Sequence, residues 1–177
     1  MTTDLRITWC LDGHGWAHCT VGASGGEAEL TASHMTSAPE DLLIAVTRLV
    51  TGETETRAQF EAEPTAYRWI FYRQAEEVWV RLLELRHGGA HDSKGTEIWS
   101  AFLQADELAR AVIRCFDEVT RIYGESGYRG KWGEHFPRAE LESLRRALAS
   151  GGVAADDASR PPSCRTNGRG DTHRATG

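Results

Sequence analysis

The sequence predicts an α+β fold: a mostly antiparallel sheet of about seven strands with three helices, in the order βββ-α-ββββ-α-α. Three observations predict it. Apolar residues alternate with period two in two separate blocks of the chain, polar or glycine-rich turns divide each block, and amphipathic stretches with helical spacing follow each block. Because short turns join strands of opposite direction, we expect one continuous sheet with the helices packed on one face.

The first block predicts three strands, at residues 4–11, 16–21 and 27–33. The first turn contains Gly13 and Gly15, and glycine accepts the positive φ that tight hairpins require. The alternation predicts that His18 lies with Trp9 on one face, opposite Cys10 and Cys19. This arrangement separates the residues that a metal ion would need, so we expect no metal site in this hairpin.

The first helix is predicted to begin at Ser37. Ser37 and Glu40 have the spacing of a capping box, and Pro39 is tolerated in the first helical turn. Gly52 is a residue type that commonly ends helices. The apolar residues between them follow helical spacing and form one stripe: Leu42, Leu43, Val46, Leu49 and Val50.

The second block predicts four strands, at residues 57–63, 66–73, 77–85 and 96–102. A two-residue loop at Ala75-Glu76 fixes the register of the second and third of them. In this register the cross-strand pairs on one face are Trp69 with Leu82, Phe71 with Val80 and Arg73 with Val78, and we expect this apolar face to meet the helices. The pairs on the other face are Tyr72 with Trp79, Ile70 with Arg81 and Arg68 with Leu83.

The second of these faces is the main candidate for function. Arg68, Tyr72, Trp79 and Arg81 combine aromatic rings with guanidinium groups, a composition typical of interface hot spots. We therefore predict a binding surface formed by these four residues. Two alternatives stay open: the residues pack beneath a helix at 104–123, or a three-residue turn shifts the register and exchanges the faces.

The connection at residues 86–95 is the second candidate. His87, His91 and Asp92 offer two imidazoles and a carboxylate within six residues, which could ligate a divalent ion or a small ligand, or serve acid–base chemistry. The alternative is a solvated connection between strands, because a polar, glycine-rich loop provides no rigid element to hold such groups.

The last part of the chain predicts two helices, at residues 104–123 and 137–149, joined by an aromatic, glycine-punctuated linker at 124–133. Together these elements predict a single domain over residues 1–150. From residue 151 onward small and polar residues dominate, and such a segment buries too little apolar surface to offset its ordering entropy. We therefore predict a disordered tail at 151–177.

Composition excludes several classes of function. With 26 acidic and 20 basic residues in 177, the net charge is −6, which predicts no nucleic-acid partner. No apolar run of about 18 residues and no secretory signal is present, so we expect a cytoplasmic protein without a membrane association. The cysteines lack metal-site spacing, and we expect them reduced, with Cys10, Cys19 and Cys115 as packing residues. Motifs for nucleotide binding, zinc hydrolysis or serine nucleophiles are absent, which predicts no cofactor and makes an enzyme the less favoured interpretation.

Several short motifs resemble those of a family of uncharacterised small actinobacterial proteins, over roughly residues 5–148. They are Trp9, Gly15-Trp16-Ala17, Ala38-Pro39-Glu40-Asp41-Leu42-Leu43, Glu63-Pro64, Trp69, Gly127-Tyr128, Trp132-Gly133 and Phe136-Pro137. Small acidic α+β chains of this kind are also similar in composition and architecture to immunity proteins of polymorphic toxin systems. The resemblance implies a protein partner and assigns no functional residue.

These observations favour a non-enzymatic protein-binding module, with an immunity-type inhibitor that occludes a toxin or effector as its specific form. Its partner would be a protein such as a basic toxin domain, because an acidic surface steers basic partners. One alternative is a small-ligand- or metal-binding protein, or a hydrolase-like enzyme, that uses the 87–92 loop. Another is a homo-oligomer with the second hairpin as the contact.

Overall fold

The computed structural model describes residues 4–157, with side chains as far as residue 151. The α+β class and the order of the elements are confirmed. The strands are β1 (Arg6–Gly13), β2 (Trp16–Ala23), β3 (Gly26–Ser33), β4 (Glu55–Glu61), β5 (Ala66–Gln74), β6 (Glu77–Leu85) and β7 (Thr96–Gln104). The helices are α1 (Ala38–Val50), α2 (Ala105–Trp132) and α3 (Arg138–Asp157), and a short 3₁₀ turn, Asp92–Lys94, precedes β7.

The strands form two antiparallel sheets, so the expectation of one continuous sheet is wrong. Within the described residues, hydrogen bonds join β1, β2 and β3 into one sheet and β4, β5, β6 and β7 into another. Helix α1 connects the two sheets, and no hairpin turn therefore holds β3 beside β4 in a ladder. The sheets still touch, because β3 contacts β4 and β7. The indole Nε1 of Trp99 donates a hydrogen bond to the carbonyl of Gly26 at 3.1 Å.

The hydrophobic core lies between the inner faces of both sheets and the three helices. Alternate residues of β5 and β6 supply its largest side chains in the second sheet, and Trp69, Phe71 and Val80 are fully buried. The apolar stripe predicted for α1 is buried in the same core. Because the helices pack on this side, the opposite face of the four-stranded sheet, here called the outer face, carries no helix among residues 4–157.

Helices α2 and α3 are longer than predicted. Helix α2 continues through the predicted linker and ends at Trp132. Gly124, with φ 64° and ψ 170°, forms a kink in the helix and does not end it. Burial of Tyr128 and Trp132 in the core stabilises this segment, which the glycine spacing alone predicted to be a linker. Helix α3 reaches Asp157, beyond the predicted boundary at 150, and residues 158–177 of the predicted tail lie outside the described residues. No described helix is both long enough and apolar enough to span a membrane.

The predicted capping box at the start of α1 does not form. Ser37 precedes the helix but makes no side-chain hydrogen bond to it. The carboxylate of Glu40 turns inward instead, and its Oε2 is buried without a hydrogen-bond partner among the described residues. Burial raises the pKa of this carboxyl group.

In the first hairpin the predicted faces of Trp9, His18, Cys10 and Cys19 are wrong. Trp9 lies opposite Cys19, and Cys10 lies opposite His18, because the pairing shifts by one residue between Leu11 and Gly13. Trp9 and Cys19 therefore share the buried face. Of the three cysteines expected to pack, Cys19 and Cys115 are buried and free, whereas Cys10 is free but exposed, so its assignment to packing is wrong.

Candidate binding face

The β5–β6 hairpin decides which side chains share the outer face. Its turn is the predicted two-residue loop, in which Ala75 adopts a φ of 55°. The opposed residues are Tyr72 and Trp79, Ile70 and Arg81, and Arg68 and Leu83, so the predicted register is confirmed. The four residues of the predicted binding surface consequently lie on the face without a helix. Their part in binding stays a prediction.

Three aromatic rings from adjacent strands form one end of the outer face. The ring centroids of Tyr72 and Trp79 are 5.6 Å apart, and those of Trp79 and Phe102 are 5.8 Å apart with their planes at 9°. Phe102 lies opposite Trp79 in the ladder, and 69% of its surface is exposed. We call Tyr72, Trp79, Phe102 and the adjacent Arg81 the aromatic end. Cross-strand pairing places these rings side by side, so they form a continuous apolar platform.

Arg81 lies at the margin of the aromatic end and leaves no unpaired positive charge there. The Cζ of Arg81 lies 5.1 Å from the centroid of the Trp79 ring, within the range of a cation–π contact. Its Nε donates a hydrogen bond to Oε2 of Glu97 at 2.6 Å. That hydrogen bond lowers the pKa of the Glu97 carboxyl group. The guanidinium is therefore oriented by a carboxylate and a ring of its own chain.

A shallow depression of about 470 Å³ lies beside the rings of the aromatic end. Its margin includes Arg73, whose guanidinium donates to the carbonyl oxygens of Leu49 and Ala75, each at 2.7 Å. The charge of Arg73 is balanced by Glu76, whose Oε1 lies 3.6 Å from the guanidinium. Glu77 also lies at the margin, is exposed and forms no ion pair within residues 4–157, so it leaves a negative charge available there.

The opposite end of the outer face is covered by the 86–95 connection, and a polar network holds the cover in place. Arg68 donates to the carbonyl oxygens of Gly88 and Ala90 at 2.8 and 2.9 Å, and to Oδ1 of Asp92 at 2.7 Å. Arg57 donates to Oδ2 of the same carboxylate at 2.5 Å. We call Arg57, Arg68 and Asp92 the polar end. Only 13% of the Arg68 side chain is exposed, because its guanidinium is directed to the loop and holds it in place.

The electrostatics of the polar end keep Asp92 ionised. Partial burial would by itself raise the pKa of its carboxyl group, but the hydrogen bonds from Arg68 and Arg57 outweigh burial and lower it. Apolar residues of β6, Leu83 and Leu85, are buried at this end. The loop therefore protects a small apolar area and ties it down with charged hydrogen bonds.

The predicted ligand set in this loop is not assembled. His87 is exposed, and Nδ1 of His91 accepts a hydrogen bond from the backbone N–H of Ser93 at 3.2 Å. The Asp92 carboxylate faces the two arginines. In the part of the chain that the structure describes, no group of three or more His, Cys, Asp or Glu side chains could hold a metal ion.

Phe102 is the residue of the aromatic end that the sequence analysis missed. It ends the predicted strand 96–102, but its position opposite Trp79 depends on the β6–β7 register. The length of the loop does not predict this register, because the connection between β6 and β7 has ten residues and the pairing shifts between Leu82 and Leu83. The available signal was the strand's own alternation, which places Phe102 and Ser100 on the same side.

Comparison with protein families and with curated proteins finds no match to this chain. Among solved structures, the CdiA-CT/CdiI toxin and immunity complex from Enterobacter cloacae is similar at a TM-score of 0.43 and 13% sequence identity. The similarity covers 63% of this chain and 99% of that chain.

Proposed function

We propose that this chain is a non-enzymatic protein-binding module and that the aromatic end is its binding face. The observation that carries the proposal is the 69% exposure of Phe102 on top of the stacked Trp79 ring. Large aromatic side chains release much free energy when they are buried, and they are enriched at the centres of protein interfaces. Rings that already stack on one another lose less conformational freedom than isolated side chains when a partner covers them.

The partner is a protein with a basic surface. The chain carries a net charge of −6, and Glu77 leaves a carboxylate available beside the rings. Complementary charge increases the association rate and selects against acidic partners. An immunity-type inhibitor that occludes a basic toxin or effector is the specific form of this function, and it agrees with the acidic composition of the chain.

Capture with matched variants tests the proposal. The wild-type chain, Phe102→Ser and the control Ile122→Ser are immobilised, and captured proteins are identified, purified and titrated by calorimetry. Ile122 is a suitable control because it is an exposed large aliphatic residue, 53% accessible, on α2 and not on the outer face. We expect a basic protein that binds the wild type and I122S equally and binds F102S at least about tenfold more weakly.

Two outcomes contradict the proposal. One is that the wild-type chain captures nothing beyond a tag-only control. The other is that F102S and I122S bind every captured protein with the same affinity as the wild type. Raising the salt concentration from about 50 mM to about 500 mM should also slow association if the partner is basic, since salt screens the attraction.

A further inference from the structure

Strand β7 leaves backbone hydrogen-bonding groups unused at the edge of the four-stranded sheet. In an antiparallel ladder, successive residues direct their N–H and C=O groups alternately to the two neighbouring strands. The N–H of Ala105 donates to the carbonyl of Glu76 at 2.8 Å, directly after β7. By alternation Leu103 and Ala101 also bond to β6, and Phe102 and Ser100 direct both backbone groups away from the sheet.

No other described segment pairs with this edge. Within residues 4–157, β7 is hydrogen-bonded to β6 alone, and neither Ser100 nor Phe102 forms a further backbone hydrogen bond. Both residues are exposed. The sequence of β7, TEIWSAFLQ, contains one charged residue, Glu97, and no proline. The register shift in its pairing with β6 lies before Trp99, so the stretch from Trp99 to Gln104 has no charge, proline or bulge to protect it from pairing with another chain.

The two sheets have four edge strands, and three of them are protected, which singles out β7. Strand β3 carries Glu27 and Glu29 and packs against β4 and β7 of the other sheet. Beside β1, Arg114 donates to the carbonyl of Leu5, directly before the strand, at 3.3 Å, and the hydroxyl of Tyr123 accepts from the N–H of Leu11 in the strand at 3.1 Å. Helix α2 packs along this strand and satisfies these two groups. Strand β4 carries several charged or polar side chains, Arg57 among them, and such side chains on an edge strand oppose the addition of another strand.

We propose that β7 is a strand-addition site, at which an extended basic segment of a protein partner pairs with Ser100 and Phe102. The inference rests on the proposed function and specifies its mode of recognition. Main-chain hydrogen bonds would supply the pairing, and an apolar side chain of the segment would pack on the ring of Phe102. A fifth strand at this edge would extend the aromatic end by one strand.

Charge favours a basic partner segment over a second copy of this chain. Glu77 lies opposite Gln104 at one end of β7 and forms no ion pair within residues 4–157. Glu97 and Asp106, also near this edge, are paired with Arg81 and Arg110, so these charges balance one another. Two copies, each with a net charge of −6, would repel one another, whereas a lysine or arginine beside an apolar residue of the segment would be attracted to Glu77.

The test uses a phage-displayed library of random decapeptides selected on the wild-type chain. We expect the selected peptides to combine lysine or arginine with β-branched or aromatic residues. Binding is then compared for Ser100→Pro, which lacks the outward N–H, and Ser100→Ala, which keeps it. Neither change removes a hydrogen bond to β6, because the N–H of Ser100 faces outward, and thermal unfolding confirms that both variants fold.

The proposal predicts that S100P weakens peptide binding at least about tenfold, while S100A changes it less than about twofold. N-methylation of alternate peptide amides should weaken binding to the wild type by a similar factor. No selected peptide, acidic selected peptides, or equal binding to S100P and S100A would overturn it. Sedimentation of a dimer that S100P dissociates would also overturn it, by assigning the edge to a second copy.

The same variants separate this inference from the proposed function. If F102S weakens binding of the captured protein and S100P does not, the partner uses the aromatic end without adding a strand. If both variants weaken its binding, the two proposals hold together. If neither does, both fail.

Discussion

The two ends of the outer face show how similar residues serve different purposes. At the polar end, Arg68 directs its guanidinium to loop carbonyls and to Asp92, and the chain's own loop covers the apolar residues of β6. At the aromatic end, Arg81 is held by Glu97, and Phe102 remains 69% exposed. Arginine and aromatic content therefore does not identify a binding surface by itself. The decisive property is whether the chain satisfies and covers those groups itself.

The largest effect is expected from breaking the polar end. Asp92→Asn removes the charge that holds two arginines, and Arg68 is mostly shielded from water. We expect the free energy of unfolding to fall by about 1–3 kcal/mol at neutral pH, measured by urea denaturation. Faster hydrogen exchange in residues 86–95 should accompany the loss.

The control for this change is Asp106→Asn, which removes an exposed helical ion pair with Arg110 at 3.6 Å. An exposed pair of this kind contributes about 0.5 kcal/mol or less. Equal destabilisation by D92N and D106N would show that the polar end does not fasten the loop.

The polar end should also make stability depend on pH. Because the folded-state pKa of Asp92 lies below its unfolded value of about 3.9, its contribution is complete above that value and is lost as pH falls through the folded-state pKa. Wild-type protein should therefore lose more stability than D92N in thermal unfolding between about pH 5 and about pH 3. Parallel curves for the two proteins would contradict this.

Glu40 should make the stability depend on pH in the opposite direction, measured in the same thermal unfolding experiment. Burial raises the pKa of its carboxyl group, so the ionised form opposes folding at neutral pH, and this cost decreases as pH falls through the folded-state pKa. Protonation of Glu40 should therefore stabilise the wild type on mild acidification, and Glu40→Gln should lack this gain. A larger acid-induced loss for the wild type than for E40Q would refute the assignment.

A smaller effect is expected from Arg81→Ala at the margin of the aromatic end. The variant loses a cation–π contact and a partly exposed ion pair, and we expect a loss of about 0.5 kcal/mol in urea denaturation. A loss as large as that of D92N would mean that Arg81 fastens the fold as Arg68 does. The difference between the two ends would then disappear.

The smallest effect on stability is expected from Phe102→Ser. Since most of the side chain is already in contact with water, its removal should change the free energy of unfolding by no more than about 0.5 kcal/mol. The same variant should be the most damaging to partner binding. A strong loss of stability would indicate that Phe102 packs in the fold and is not available to a partner.

The fold class and the face of the central hairpin were predictable because both follow from local rules. The two-residue loop determines every residue pair of the β5–β6 hairpin, including Tyr72 with Trp79. Alternation then assigns each side chain to one face of the sheet. The split into two sheets was not predictable in this way. Local patterns do not indicate whether the strand after helix α1 pairs with the strand before it. The register shifts beside Gly13 and Leu83 likewise depend on backbone bulges that side-chain patterns do not encode.

Of the candidate site, the sequence predicted Tyr72, Trp79 and Arg81 at the aromatic end but grouped Arg68 with them. Arg68 shares their face, yet its partners lie in a loop whose path is set by tertiary packing. Periodicity assigns a side chain to a face and does not indicate what covers it. Phe102 was missed for the corresponding reason: its neighbours depend on a non-local pairing.

Hydrogen exchange of the partner complex, followed by mass spectrometry, tests the central claim most directly. We expect binding to slow exchange in β6 and β7 around Trp79 and Phe102. Exchange in residues 86–95 should stay unchanged, because the chain already covers that end. Protection confined to residues 86–95, or to the three-stranded sheet, would place the binding face elsewhere and contradict the account.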